Sequence, residues 1–190
     1  MKRAIVAAAA LLAGATTLPA QESGAKAEVR PFVGASIPTG TQRDLFNDAP
    51  IFGLQGAVEL KPTLHLVGTF GWVPGQNQYV LARDNVNIFQ YDVGVELSMV
   101  RPLGGGNWQF RPFVGIGGGA RTYAFEADQL ADKTCAAGYG ALGSEFQLGR
   151  TALRVEARDD VFCFRSPIEG QDSQTRNDIR LTAGLAYHFR

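Results

Sequence analysis

The last part of the chain shows an unbroken alternation of apolar and polar positions. Between Asn177 and Phe189 every second residue is apolar, and the residues between them are polar or small. The apolar positions are Ile179, Leu181, Ala183, Leu185, Tyr187 and Phe189. Side chains of a β-strand point alternately to opposite faces, so this period of two predicts a strand with one apolar face.

The same alternation recurs along the chain and predicts eight strands. Their approximate bounds are 28–37, 51–60, 63–73, 85–100, 108–124, 138–148, 151–161 and 177–189. The connections 61–63, 101–107 and 149–150 are short, whereas 38–50, 74–84, 125–137 and 162–176 are long and polar. An even number of strands, with short turns at one end and long loops at the other, is typical of a β-barrel that crosses an outer membrane.

A short internal repeat supports this layout. The pentapeptide Arg-Pro-Phe-Val-Gly at 30–34 recurs at 111–115, after an interval of 81 residues. A polar loop and then a strand with two spaced glycines follow each copy. The second half of the chain is therefore predicted to repeat the first, with four strands in each half.

The two faces of the predicted strands differ in chemistry. One face is apolar and aromatic, with Leu54, Phe70, Val93 and Val114 among its members. The other face carries charges at Glu96, Arg111, Glu145, Arg154, Glu156, Arg158 and Arg180. A soluble barrel would turn these charges to solvent, which is the alternative to a membrane barrel with its apolar face outward.

The membrane alternative makes a specific prediction about the interior. An eight-stranded barrel is just wide enough to be filled by side chains, and charges buried there must be paired and hydrogen-bonded. We predict an interior ion-pair network that plugs the lumen. Its members are Glu96, Glu145, Arg154, Glu156, Arg158 and Arg180. The predicted fold class is an all-β, eight-stranded antiparallel up-and-down transmembrane β-barrel.

The first twenty residues are predicted to be a signal peptide that is cleaved on export. Lys2 and Arg3 precede an apolar run that ends near Ala15, and Ala20 offers a small residue for cleavage. The barrel domain then spans 21–190, with 16 basic and 18 acidic residues and a formal charge of −2. This balance does not favour binding to nucleic acid. No later segment is apolar enough for a helical membrane span.

The two cysteines fall in the predicted loops. Cys135 lies in the third long loop and Cys163 at the start of the fourth, so strands six and seven bring the loop bases together. An exported protein reaches an oxidising compartment, where a disulfide between them would tether the two loops. Two free thiols are the alternative.

The sequence offers little support for catalysis, a metal or a cofactor. Only His65 and His188 supply an imidazole, and Ser98 and Ser144 lie on other strands without a nucleophile elbow. The histidines and cysteines lack the spacing of a metal site. The glycine run 104–106 predicts a turn, and 117–119 predicts a close approach between strands. We expect no enzyme activity, no metal and no cofactor.

Three stretches resemble the small eight-stranded outer-membrane β-barrel family, which includes the membrane domain of outer-membrane protein A. They are the duplicated Arg-Pro-Phe-Val-Gly opening, 153–159 and the terminal strand. The resemblance implies assembly by the outer-membrane insertion machinery, which recognises an aromatic C-terminal strand, here Tyr187 and Phe189. It also implies contact with outer-membrane lipid and lipopolysaccharide. No periplasmic domain is expected after the eighth strand.

Fold does not settle function for this architecture. We expect a protein of the outer membrane in a Gram-negative-type envelope, with a structural role or with loops that present a surface to a partner. The alternative is a narrow transport barrel for small or apolar molecules, which would need a gap in the plug or a lateral opening in the wall.

Overall fold

The computed structural model describes residues 26–39, 48–76, 85–104, 107–125, 132–164 and 174–189. The predicted signal peptide, residues 1–20, and most of the long loops lie outside the described residues. Within the described ranges, no helix has the length and apolar character of a membrane span.

Eight long strands and one short strand make up most of the described chain. They are β1 (Ala27–Pro38), β2 (Ala49–Lys61), β3 (Leu64–Gln76), β4 (Asn85–Ser98), β5 (Arg101–Pro102), β6 (Trp108–Phe125), β7 (Lys133–Leu148), β8 (Thr151–Phe164) and β9 (Gln174–Phe189). β5 holds only two residues, which pair with Gln109 and Phe110 at the start of β6. The eight long strands correspond to the eight that alternation predicts.

The long strands close into a barrel. All pairings are antiparallel, β1 pairs with β9, and β4 pairs with β6 past the β5 turn. Each long strand therefore has a partner on both sides, so none of the described long strands has a free edge. This closure confirms the predicted fold class, an eight-stranded antiparallel up-and-down barrel.

Four strands, β3, β7, β8 and β9, extend three or more residues further toward the loops than alternation predicts. β7 begins at Lys133 rather than near 138, and β9 begins at Gln174 rather than near 177. In β7, Thr134 pairs with Thr122 and Cys135 pairs with Arg121. Small residues here continue the backbone ladder, although they give a weak alternation of apolar and polar character.

The outward face of the barrel is an apolar belt. Val114, Ile116, Leu142 and Leu185 each leave more than half of their surface uncovered by protein. Exposed apolar residues occur on every long strand, including Val33, Leu54, Leu66, Val95, Ile116, Leu142, Leu153 and Leu181. An apolar band around a closed barrel is the arrangement of a membrane-spanning barrel. The prediction of an apolar outside and a charged inside is therefore confirmed.

Aromatic side chains border this belt at both ends. At the loop end, the Trp72 ring packs against Phe52 with centroids 5.9 Å apart, and the Trp72 indole N–H donates to Asn87 Oδ1 at 2.9 Å. At the turn end, ring pairs form between Phe110 and Phe146 and between Tyr187 and Phe189, with centroids 5.2 Å and 4.9 Å apart. Such aromatic rings favour the two interfaces of a membrane.

Glycines on the inward face make room for large side chains. A Cβ on Gly94 would overlap the Tyr139 hydroxyl and a Cβ on Gly117 would overlap its ring, so both glycines make room for that side chain inside the wall. Gly117 belongs to the run 117–119, where the sequence predicts a close approach between strands. The Tyr139 ring in turn lies 3.9 Å from the Arg158 guanidinium, which links this packing to the charged interior.

Candidate functional site: the charged interior

The inward face of the barrel is crowded with buried charges. The described residues include seven buried carboxylates, namely Glu28, Asp92, Glu96, Glu145, Glu156, Asp160 and Asp178. They also include six buried arginines, namely Arg30, Arg111, Arg121, Arg154, Arg158 and Arg180. Alternation along the strands directs these residues inward, because the positions between them contribute to the apolar belt.

Nearest the turn end, two arginines converge on one carboxylate. Arg111 donates through Nη1 and Nη2 to Glu28 Oε1, both at 2.9 Å, and Arg30 pairs with Glu28 Oε2. His188 Nδ1 lies 3.0 Å from the same Glu28 Oε1. Glu145, whose surface is fully buried, lies 3.2 Å from Arg111 Nε and 3.5 Å from Arg30 Nη2.

The middle of the interior is organised by Arg154. Its guanidinium reaches Glu96 and Glu145 at 2.6 Å each and Glu156 at 2.8 Å. The same group stacks over the Phe113 ring, 3.5 Å from its centroid. One arginine thus connects carboxylates on β4, β7 and β8, so three strands are cross-linked through a single side chain.

The network continues toward the loop end through Arg158. Its Nε lies 3.0 Å from Glu156 Oε1, and its Nη1 lies 3.1 Å from Asp92 Oδ2. Arg180 pairs with Asp160, with Nη2 at 2.5 Å from Oδ1, and lies 3.9 Å from Asp92. Gln90 donates to Asp160 at 2.9 Å and to Asp92 at 3.1 Å, which joins the two acids through a neutral group.

A separate pair lies close to an apolar cluster. Arg121 Nη1 contacts Asp178 Oδ2 at 2.5 Å, and its guanidinium lies 4.2 Å from the Phe162 ring centroid. Phe162 packs with Val86, Tyr123 and Ala137, with Ile88 against them. The loop end of the interior therefore combines one ion pair with a small apolar core.

No protein-family model matches the chain, and no curated protein matches it in sequence. Solved structures do match. Neisserial surface protein A aligns with a TM-score of 0.58 at 11% identity, over 88% of this chain and 100% of its own. The outer membrane protein OprG from Pseudomonas aeruginosa gives 0.55 at 15% identity, over 88% and 97%. Ail, the attachment invasion locus protein of Yersinia pestis, gives 0.54 at 11%, over 88% and 100%.

The chain has the fold of the small eight-stranded outer-membrane β-barrels. At these identities the likeness concerns the fold, and the apolar belt supplies the independent physical reason for a membrane location. The predicted localisation, the outer membrane of a Gram-negative-type envelope, agrees with the fold and with the apolar belt. In barrels of this fold the short turns lie at the periplasmic end and the long loops at the cell surface, and the two ends of this barrel are named accordingly.

The six charges proposed for the interior of this outer-membrane barrel all lie inside it. Arg154 contacts Glu96, Glu145 and Glu156 directly, and Arg158 contacts Glu156. Arg180 forms no ion pair with the other five among the described residues and joins them through Asp92. The prediction omitted Glu28, Arg30, Asp92, Arg111, Arg121, Asp160 and Asp178 as network members. Counting alternate positions along each strand would have found them, since all share the inward face.

The two histidines lie in different surroundings near the periplasmic end of the barrel. His65 is almost completely buried, and neither of its ring nitrogens has a hydrogen-bond partner among the described residues. His188 engages Glu28 through Nδ1, whereas its Nε2 has no such partner. The hydroxyl of Ser98 is likewise unpartnered. Within the described part of the chain, neither imidazole accepts a hydrogen bond from a serine, which is the contact that activates a serine nucleophile by a histidine base.

One group of side chains approaches the spacing of a metal site. Ligand atoms of Glu28, Glu145 and His188 lie within 4.8 Å of one another. The carboxylates already accept from Arg30, Arg111 and Arg154, however, and those guanidiniums would repel a divalent cation placed between the acids. We therefore assign no metal to this group.

One half of the predicted disulfide lies among the described side chains. Cys135 is buried and free at the loop end of β7. The side chain of Cys163 lies outside the described residues. The tether between the third and fourth loops stays a prediction from the sequence.

Proposed function

We propose that this barrel is a closed outer-membrane protein whose charged interior plugs the lumen, and that it either strengthens the envelope or presents its loops to a surface partner. The observation that supports the plug is the continuous run of ion pairs from Glu28 to Asp160. A cavity beside Arg30, Gln55, Arg154 and Glu156 has a volume of about 10 Å³, room for one water molecule.

Passage through this interior would require ion pairs to break. Arg154 bonds three carboxylates from three strands, and Glu28 receives two arginines. Removing one partner from a buried ion pair costs about 3–5 kcal/mol, because the remaining charge stays buried and unpaired. A solute that separated several pairs would meet a multiple of that cost, so the wild-type lumen is closed to it.

The composition of the long loops favours one kind of surface partner. The segments 39–48, 77–84, 126–132 and 165–173 contain three basic and eight acidic residues, a formal charge of −5. Ail has been solved with the heparin analogue sucrose octasulfate, a polyanion. The acidic excess of this chain disfavours such a ligand, and a basic partner is the better match.

We propose no catalytic role, because neither imidazole contacts a nucleophile among the described residues.

We also propose that the outer-membrane insertion machinery recognises the strand ending at Tyr187 and Phe189. Both rings are exposed at the periplasmic edge of the barrel, where a binding partner can reach them.

Liposome swelling tests the plug against the transport alternative. Wild-type protein, Glu145→Ala and Arg154→Ala would be reconstituted, with Leu185→Ala on the lipid-facing side as a matched truncation. A plug predicts that wild type and Leu185→Ala exclude small sugars and that both interior variants leak. Heat-modifiable migration on gels would show that each variant is folded. Sugar flux through the wild type would refute the plug and favour transport.

A further inference from the structure

The periplasmic edge of the barrel carries a ring of basic side chains. Lys26 precedes β1, Lys61 ends β2, Arg101 belongs to β5, and Arg150 lies in the turn between β7 and β8. All four are exposed. The four cations are spread around the circumference, because the segments that carry them follow one another around the wall. These segments are the start of β1, the β2–β3 turn, the β4–β6 turn and the β7–β8 turn. We call these four residues the basic rim.

Acidic residues are scarce at this edge. The three turn segments 61–63, 101–107 and 149–150 contain no Asp or Glu. Lys26 lies 3.5 Å from Glu59, which is half-buried. Among the described residues, no carboxylate forms an ion pair with Lys61, Arg101 or Arg150. The rim is therefore a positively charged surface with three cations available to an outside anion.

Exposed apolar side chains fix the depth of the rim in the membrane. Met99, Val100 and Leu103 flank Arg101 and leave 56%, 48% and 44% of their surface uncovered, and Trp108 leaves 49%. A cluster of exposed apolar and aromatic side chains is stabilised where hydrocarbon or the lipid interface covers it. Arg101 thus lies at the level where lipid headgroups meet the acyl chains, and long basic side chains can extend from there to the headgroups.

We propose that the basic rim binds anionic phospholipid headgroups of the periplasmic leaflet. A phosphodiester shares one negative charge between two oxygens, which match the parallel N–H donors of Arg101 and Arg150 and the ammonium of Lys61. Each cation near an anionic lipid surface strengthens attraction by about fivefold. The carboxylates of the cell wall are the other anions on this side, but the exposed apolar neighbours of Arg101 place it against lipid.

The two tryptophans of the chain allow the contact to be measured at each end of the barrel. Trp72→Phe leaves Trp108 beside the rim, and Trp108→Phe leaves Trp72 at the loop end. Each protein would be reconstituted with brominated phosphatidylglycerol or brominated phosphatidylcholine at equal mole fraction. Bromine quenches tryptophan only in adjacent lipid, so the ratio of quenching reports the preference for the anionic headgroup.

Three sets of substitutions test the role of the cations. The rim variant carries Lys61→Gln, Arg101→Gln and Arg150→Gln. A charge-preserving variant carries Lys61→Arg, Arg101→Lys and Arg150→Lys. A loop control carries Arg43→Gln, Arg83→Gln and Arg165→Gln, which removes the same charge from the other end. Heat-modifiable migration would verify folding in each background.

We expect phosphatidylglycerol to be preferred at Trp108 by about fivefold or more, and this preference to fall to about one in the rim variant. The charge-preserving variant and the loop control should retain it, and high salt should weaken it. Equal quenching by the two lipids in the unmodified rim would overturn the proposal. So would an equal preference at Trp72, or a preference that survives in the rim variant. A rim variant that lost only binding to purified cell wall would assign the rim to that polymer instead.

Discussion

Arg30 and Arg111 reach the same Glu28 carboxylate from opposite walls of the barrel. Each is the first residue of one copy of the repeated pentapeptide, and their strands, β1 and β6, lie four positions apart around the eight long strands. Both arginines also approach Glu145. The repeat therefore supplies a pair of cations that cross the lumen and join its two sides.

Glu145→Gln is expected to destabilise the barrel strongly. The side chain is fully buried among Arg30, Arg111 and Arg154, so neutralising it removes the one carboxylate that all three buried guanidiniums share. We expect a loss of about 3–5 kcal/mol in the free energy of unfolding, measured by urea titration in phospholipid vesicles.

The matched control for that substitution is Glu59→Gln. Glu59 is half-buried and, among the described residues, forms its ion pair with Lys26 at 3.5 Å, so its neutralisation should cost about 0–1 kcal/mol. Equal losses for the two variants would contradict the view that the interior acids hold the wall together.

Gly117→Ala should impair folding, whereas Gly140→Ala should not. A Cβ at Gly117 overlaps the Tyr139 ring and the backbone of β4, while a Cβ at Gly140 meets nothing within 4 Å. Overpacking of this kind costs about 1–3 kcal/mol. The yield of heat-modifiable protein on refolding into detergent would compare the two, and equal yields would mean that the inward ring can move aside.

Leu142→Arg should cost far more than Leu148→Arg. Leu142 leaves 62% of its surface uncovered and lies six residues above Leu148, which borders the periplasmic turn. At about 3.3 Å per residue and a strand tilt near 40°, Leu142 lies roughly 15 Å above Leu148, near the bilayer midplane. An arginine there costs about 2–4 kcal/mol, against about 0–1 at the interface. Unfolding in vesicles measures the free energy lost by each variant. A larger loss for Leu148→Arg than for Leu142→Arg would place the apolar belt at another height.

Phe189→Ala should reduce assembly into the outer membrane of cells more than it reduces refolding of the purified protein. The control is Phe146→Ala, since Phe146 is an exposed aromatic residue at the same edge but lies within β7. If Phe189→Ala alone reduced the amount of protein assembled in the outer membrane, a role in recognition would be supported. Equal loss for both variants would indicate that the edge needs aromatic packing and nothing more.

Much of this architecture follows from alternation alone, because a strand in a closed wall has only two faces. The strands, the belt and the inward direction of Arg154 and Arg158 need only local sequence. The ion-pair partners cannot be found from local sequence, since Arg111 and Glu28 are separated by 83 residues and meet across the lumen. Apolar residues also point inward, such as Phe113 and Phe162, and they make the inward face of their strands resemble the outward one.

The ladder between β1 and β9 joins Ala27 to Phe189, residues separated by 162 positions. The first strand to leave the ribosome therefore waits for the last one, and until then the growing sheet has two open sides that can capture other chains. Such distant pairing is slow to form. The unfinished sheet must therefore be kept from pairing with other chains during that delay.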